Sequence, residues 1–496
     1  MKKVLLAVDQ GTTGSTALLV DRKGSVVGRG YAELPQYFPK PGWVEHRPDQ
    51  LLSTTRKAIQ SALRDSGLPS RAIEGIGITN QRETTLLWER RTGRALANAI
   101  VWQCRRTSAA CQRLQAAGHA KEVRAKTGLV IDAYFSATKL QWLLDHVPGA
   151  RKRAERSDLA FGTVDTWLVW HLTNGRVHAT DATNASRTLL YNIHRRQWDK
   201  DLLALFHVPE SVLPTVQEPA SLFGKTAGSL GLPAGIPICG VAGDQQASMV
   251  GHGCLTKGSA KNTYGTGCFL LEHTGDKPTT SRAGLLTTLV AGTSGRCGYA
   301  LEGSVFIAGA AVQWLRDGLR IIQKASETEK IARGVKDTDG VYLVPAFVGL
   351  GAPYWDMGAR GAIVGLTRGT RRETIVRAAL ESLAFQTRDV VDAMQRDSGV
   401  RLRELRVDGG AAQNNWLMQF QADILGIPVA RPPMVENTGR GAAFLAGASL
   451  KWWKLPEVGR LAAGKEKRFQ PRMRAAERNR RYAGWQEAVS RVRSRA

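Results

Sequence analysis

The stretch from Val4 to Val20 holds the residues best suited to chemistry. Five apolar residues, Val4 to Val8, run straight into Asp9; Gln10-Gly11-Thr12-Thr13-Gly14-Ser15-Thr16 follows, and then the apolar Ala17 to Val20. The two apolar runs read as strands, joined by a hairpin tip of Gly, Thr and Ser. Such a tip offers close backbone N–H groups and short hydroxyls, which suit a phosphate chain. A carboxylate ending the strand beside it can hold Mg²⁺ against phosphate oxygens, directly or through water. A plain β-hairpin capped by turn-formers would show the same glycines and threonines. Asp9 is the residue that brings the phosphate reading level with the plain one.

Three further stretches have comparable content. Asn80-Gln81-Arg82-Glu83 follows the apolar run Ile73 to Thr79, at the carboxyl end where open α/β sheets place ligand contacts. Adjacent Arg82 and Glu83 can donate to and accept from vicinal hydroxyls, or form an ordinary surface ion pair. Gly243-Asp244-Gln245-Gln246 follows the strand Ile236 to Val241. Asp244 is there either a general base or the N-cap of a helix, and base rates favour the cap. Pro237 suggests an edge or strand-start position. Finally, Lys261 to Leu271 repeats the opening pattern of strand, Gly/Thr turn and strand around Tyr264-Gly265-Thr266-Gly267. Two phosphate hairpins in two halves of one chain form an internal duplication, far more specific than either alone. Leu405 to Ala411 adds a strand entering a Gly409-Gly410 turn, where a base or ribose can approach the backbone.

The elements that position these stretches are legible. Pro48 opens a helix closed by Gly67, with Leu51, Leu52, Thr55, Ile59 and Leu63 on one face. Further helices are expected over Tyr134 to Leu144, Thr163 to Leu172, Ala308 to Leu319 (carrying Gly309 and Gln313), Thr374 to Met394, Asn414 to Leu425 and Arg440 to Leu450. Met249 to Gly258 reads as a domain junction, which divides the chain into residues 1–252 and 253–496. A chain of 496 residues exceeds one core.

Composition excludes several classes. No segment is apolar enough to span a membrane, and the residues before Asp9 are too few for a signal peptide. The six cysteines are scattered and show no C-x-x-C spacing, so reduced thiols in a cytoplasmic protein are expected. A net charge of +26 fits anionic partners. Its densest runs, 151–156 and 465–495, lack the interleaved aromatics of a single-strand groove, so no nucleic-acid partner is expected. The first hairpin is neither a Walker A loop, since no Gly-Lys-Ser/Thr follows, nor a dinucleotide fingerprint.

The opening hairpin resembles the first phosphate hairpin of the actin-like ATPases, and nearly the whole chain resembles the glycerol kinases of the FGGY carbohydrate kinase family. The resemblance rests on Asp9 to Thr13, Asn80 to Thr85, Val101 to Arg106, Tyr134 to Asp145, Gly243 to Gln246, Asn262 to Phe269 and Val407 to Asn415. It implies an α/β protein of two actin-like (ribonuclease H-like) ATPase domains with a cleft between them. The first would hold glycerol and the first phosphate hairpin, the second the nucleotide. The implied glycerol contacts are Arg82, Glu83, Tyr134, Asp244 and Gln245, with Trp102 and Phe269 packing on the carbon chain. The implied nucleotide contacts are Thr12, Thr13, Gly14, Thr266, Gly309, Gln313, Gly410 and Asn414. Asp9 and Asp244 would serve catalysis and Mg²⁺, with ATP as phosphoryl donor and a homodimer or homotetramer as assembly. One departure stands out: the family usually carries arginine at the position of Thr16 and serine at that of Gly14. Rival expectations are a kinase for another polyol or ketose, a silent actin-like nucleotide binder, and a nucleic-acid binder suggested by charge alone.

Overall fold

The computed structural model describes residues 2–292, 296–433, 436–463 and 466–494. Lys465 and Arg495, the ends of the C-terminal basic run, lie outside the described residues.

The first sheet is built from β1 (Val4–Gln10), β2 (Gly14–Val20), β3 (Val26–Glu33), β4 (Ile73–Asn80), β5 (Gly224–Ala227) and β6 (Ala234–Gly243), in the order β5-β6-β4-β1-β2-β3. The apolar run Val4 to Val8 is buried because β1 is central. It pairs antiparallel with β2 and parallel with β4, and such strands read as continuous apolar runs. Pro237 sits inside β6, which lies one strand in from the edge. It faces Lys225 of the edge strand, and pairing with β4 begins only at Ile238. Its missing N–H therefore costs the central ladder nothing.

The second sheet uses β7 (Ala260–Tyr264), β8 (Cys268–Gly275), β9 (Leu286–Ala291), β10 (Cys297–Val305), β11 (Leu405–Asp408), β12 (Val429–Arg431) and β13 (Lys467–Phe469), in the order β9-β10-β8-β7-β11-β12-β13. Its hairpin β7-β8 is antiparallel, and β7 runs parallel to β11, as β11 does to β12. Both sheets thus place a hairpin beside two parallel strands. This is the actin-like, ribonuclease H-like arrangement occurring twice in one chain.

Helices cover both sheets. The helix α1 (Pro48–Ser66) starts on Pro48 and stops at Gly67 in the left-handed region, φ 66°, as its end signals predict. Next come α2 (Ser136–His146), α3 (Asp244–Gly251), α4 (Gly309–Asp317), α5 (Arg372–Ser398), α6 (Asn415–Leu425) and α7 (Asn437–Ser449). The last belongs by sequence to the second half, yet it packs on the first sheet. Ala442, Ala443 and Ala446 share one buried cluster with Leu5, Ala7 and Leu18. Small residues permit that close approach: a Cβ on Gly441 would overlap the Ala247 carbonyl of α3.

Candidate active site

The Arg82–Glu83 turn leaves β4 at its carboxyl end. Both residues are buried, and Glu83 takes φ 62°, an uncommon conformation for a residue with a Cβ. Arg82 Nη1 and Nη2 donate to the two Glu302 carboxylate oxygens at 2.6 and 3.2 Å. Its Nε lies 3.1 Å from Asp244 Oδ1. Arg187 Nε donates to Glu83 at 2.6 Å and Nη2 to Glu302 at 3.0 Å. Glu302 comes from β10, so this fully buried ring of two arginines and two glutamates ties the two sheets together. Burial works to raise the Glu302 pKa, but Arg187 and Arg82 outweigh it and hold it at about 2. For Glu83 burial wins over the same arginines, and its pKa is raised. Breaking such a buried network from one side typically costs about 3–5 kcal/mol.

An aromatic wall stands beside the turn. Trp102 and Tyr134 meet edge to face at 5.5 Å. Tyr134 Oη accepts from Arg82 Nη2 at 3.4 Å, and Trp102 Nε1 donates to Thr12 Oγ1 of the first hairpin at 2.9 Å. The Tyr134 loop is fixed from below by Lys139 of α2. This fully buried ammonium donates to the carbonyls of Ala133, Tyr134 and Phe135 at 3.0, 2.6 and 2.8 Å, and burial lowers its pKa to about 8.

Asp244 is the first residue of α3, not its cap. Gly243 holds the cap position, and the Asp244 carboxylate, about a third exposed, faces Arg82. Gln245 Oε1 accepts a short hydrogen bond from Lys261 Nζ, which also donates to Thr263 at 3.0 Å. Lys261 is fully buried, and burial drops its pKa to about 8 against the pull of Asp408 and Asp244. Phe269 pairs with Thr263 and Ser304, and Leu271 with Lys261 and Glu302. With its period of two, the sheet therefore puts Phe269, Lys261 and Glu302 on one face, the face that meets Arg82 and Gln245. Asp9 is driven up to a pKa of about 7 by burial first, then by the charges of Asp244 and Glu436. Two carboxylates that repel one another in this way form a place where a cation is welcome.

The second hairpin opens onto a cavity of about 440 Å³. Thr266, Gly309, Gln313, Gly410 and Asn414 all line it, with Tyr264, Thr328, Glu329 and Leu417 among their neighbours. Asn414 Oδ1 also caps α6 by accepting from Leu417 N at 2.9 Å. Gly309 is forced by contact as well: a Cβ there would stand 2.6 Å from the Gly265 carbonyl oxygen.

Two family models cover the chain in succession. Residues 4–251 match the N-terminal domain, and residues 260–450 the C-terminal domain, of the FGGY family of carbohydrate kinases. The chain belongs to the FGGY family. Within it, the glycerol kinase of Carboxydothermus hydrogenoformans is 55% identical over 492 residues, 99% of this chain and 98% of that protein. Glycerol kinase 2 of Thermotoga maritima is 54% identical over 489 residues, 99% and 98% of the two chains. The crystal structure of Plasmodium falciparum glycerol kinase with ADP superposes with a TM-score of 0.94 at 37% identity, covering 100% of this chain and 99% of that one. A ligand-bound xylulose kinase from Lactobacillus acidophilus shares the fold, with a TM-score of 0.88 at 21% identity over 99% and 97% of the chains.

The FGGY framework brings Arg82, Glu83, Tyr134, Asp244 and Gln245 to one spot, with Trp102 linking them to Thr12. It gathers five of the expected nucleotide contacts at a second. Thr12 and Thr13 stay accessible at the first hairpin tip, while Gly14 is buried beneath the Tyr31 ring. Glu302, Arg187, Lys139 and Lys261 escaped the sequence reading. Two of them left a trace, a lone charge inside an otherwise apolar or uncharged strand: Glu302 in Tyr299-Ala300-Leu301-Glu302 and Lys261 in Ala260 to Tyr264.

Proposed function

We propose that this chain transfers the terminal phosphoryl group of ATP to glycerol, giving ADP and sn-glycerol 3-phosphate and feeding glycerol catabolism. The observation that carries this reading is the short polar set Arg82, Glu83, Asp244 and Gln245, walled by Trp102 and Tyr134 and closed from the second sheet by Glu302 and Lys261. Such a set can satisfy three hydroxyls on a short carbon chain. The names and identities of the two glycerol kinases compared above support the same substrate.

In this reading Asp244 accepts the proton of the attacking hydroxyl. Arg82, Glu83, Tyr134 and Gln245 orient the substrate, and Trp102 and Phe269 pack on its carbons. Thr12 and Thr13 meet the phosphates at the hairpin tip, whereas Gly14, also expected there, is buried under the Tyr31 ring and keeps only a role in shaping the turn. Thr266, Gly309, Gln313, Gly410 and Asn414 meet the rest of the nucleotide. Among the described residues no three His, Cys, Asp or Glu side chains are grouped to hold a metal. The residues present nevertheless fit Mg²⁺, because Asp9 and Asp244 supply hard carboxylate oxygens and mutual repulsion that a cation would relieve. Mg²⁺ usually takes one or two carboxylates together with substrate phosphates. When bound it would neutralise charge on the phosphoryl oxygens. The rest of catalysis is positioning by the chain's own groups.

We assign the glycerol-binding domain to residues 1–252 and the nucleotide-binding domain to 253–496, with α7 returning to the first. The protein is proposed to be cytoplasmic, and to act as a homodimer or homotetramer without nucleic-acid partners. Among the described residues no helix is long and apolar enough to cross a membrane. Incubation with ATP and a panel of polyols, followed by ³¹P NMR and an enantioselective assay of the product, tests the reaction. Sn-glycerol 3-phosphate as main product supports it; phosphorylation of a longer polyol in preference to glycerol rejects it.

A further inference from the structure

The first hairpin must receive the most highly charged part of a nucleotide, yet its surroundings are acidic. Asp9 and Asp244 face the site, and the charge of Glu436 reaches Asp9. The basic groups at hand are committed elsewhere. Arg82 is bound to Glu302 and Asp244, and Lys261 to Gln245 and Thr263. Arg22, close in sequence, pairs with Glu74 near the start of β4 and stacks on Trp452, at the end of the sheet away from the hairpin.

The sheet register points to one other cation. Asp9 pairs with Thr16, Thr16 with Tyr31, and Leu18 with Arg29. Side chains alternate along strands, so Asp9, Thr16, Leu18, Tyr31 and Arg29 share one face. Helix α7 starts over that face: a Cβ on Gly439 would stand 2.7 Å from Leu18 Cδ1 and 3.9 Å from Asp9 Cβ. Arg29 reaches over Leu18 to this helix start, where its Nε lies 2.7 Å from Glu436 Oε1, with the arginine side chain 51% exposed and the glutamate 25%. A pair this exposed is worth little and is readily given up. Tyr31 shapes the neighbouring turn. Its ring occupies the space a Gly14 side chain would need, and its hydroxyl donates to the Thr13 carbonyl at 3.2 Å.

We propose that Arg29 is the cation of the first phosphate hairpin: it leaves Glu436 to bind the terminal phosphate oxygens of the nucleotide beside Asp9, the service that Thr16 cannot perform. Glu436 holds the guanidinium at the site until the nucleotide arrives. The inference deepens the kinase reading and rests on it.

The test uses the full chain with ATP and glycerol, and calorimetric binding of a non-hydrolysable ATP analogue and of adenosine. Arg29→Met should lower kcat/KM for ATP about tenfold or more, as loss of a charge-assisted hydrogen bond implies. It should weaken the analogue but not adenosine, with KM for glycerol unmoved. Thr16→Arg should restore most of the loss in the Arg29→Met background and change the parent protein little. Glu436→Gln, which frees Arg29, should tighten the analogue. A folded Arg29→Met protein with kcat/KM for ATP within twofold of the parent would overturn the proposal. So would a large gain from Thr16→Arg alone, which would mean that the hairpin lacks a cation altogether. A parent protein inactive on glycerol would instead reject the kinase reading, while the analogue-binding arm would still judge Arg29.

Discussion

The two hairpins share a backbone plan and differ in what surrounds them. At the position where the first carries Asp9, the second carries Thr263. Across the ladder the first has Thr16 where the second has Phe269. The second tip is tied down by neutral backbone: Gly265 N donates to the Gly267 carbonyl at 2.8 Å, and Ala308 and Gly309 N donate back to the tip at 2.8 and 3.0 Å. The first tip is likewise closed, by Gly11 N to the Gly14 carbonyl and Leu34 N to the Thr13 carbonyl, both 2.9 Å. Its charged groups, however, are not in balance: burial first, and then the charges of Asp244 and Glu436, raise Asp9 to a pKa of about 7. A duplicated scaffold has thus been divided in role. One copy lines a largely uncharged cavity, the one proposed for the nucleotide, and the other keeps an electrostatic conflict that a cation and a phosphoryl group are suited to resolve.

The largest effect expected is at the acid–base step. Asp244→Asn keeps the shape but removes the proposed proton acceptor, so kcat should fall roughly 10²–10⁴-fold while nucleotide affinity, measured by calorimetry, changes little. Retention of most of kcat would move the base elsewhere and undo the proposed division. Next comes the ring that joins the two copies. Glu302→Ala leaves Arg82 and Arg187 buried with one carboxylate fewer, a loss of about 3–5 kcal/mol visible in denaturant unfolding. A change under about 1 kcal/mol would mean that the cross-sheet ring does not hold the copies together.

Smaller effects sharpen the contrast. Lys261→Met frees the Gln245 side chain, and the KM for glycerol should rise about tenfold with the KM for ATP unmoved. Because burial lowers the Lys261 pKa to about 8, the parent protein should show a similar rise in KM for glycerol above that pH, and the variant should not. The smallest effect concerns stability. Asp9 ionises near 3.8 in an unfolded chain and near 7 in the folded one. The folded state therefore binds more protons between those values, and stability falls as pH rises from about 4 to about 7. Without metal or nucleotide, Asp9→Asn should raise Tm by a few degrees at pH 8 and leave it nearly unchanged at pH 4, even though phosphoryl transfer is lost. An equal Tm shift at both pH values would remove the conflict from the first hairpin.

Much of this was legible because periodicity and turn chemistry are local. The Val4 to Val8 run, the Pro48 and Gly67 helix signals and the repeated Gly/Thr hairpins each depend on near neighbours. The elements around Asp244 were legible too, although its capping alternative was settled only by Gly243 taking the cap. What stayed hidden depends on contacts far apart in sequence. Glu302 matters because Arg82, 220 positions earlier, reaches it. Arg29 draws notice only once the register sets it beside Leu18 and Glu436 comes over from the far end of the chain. The return of α7 to the first sheet is hidden for the same reason: its Ala/Gly pattern announces close packing but not the partner.

The most direct measurement is a coupled ADP-release assay comparing kcat/KM for glycerol with those for D-xylulose and D-ribulose on the same preparation. Each buried donor or acceptor left unpaired by a misfitting substrate costs about 1–3 kcal/mol, so glycerol should be preferred by at least about tenfold. A ketopentose turned over faster than glycerol would contradict the account.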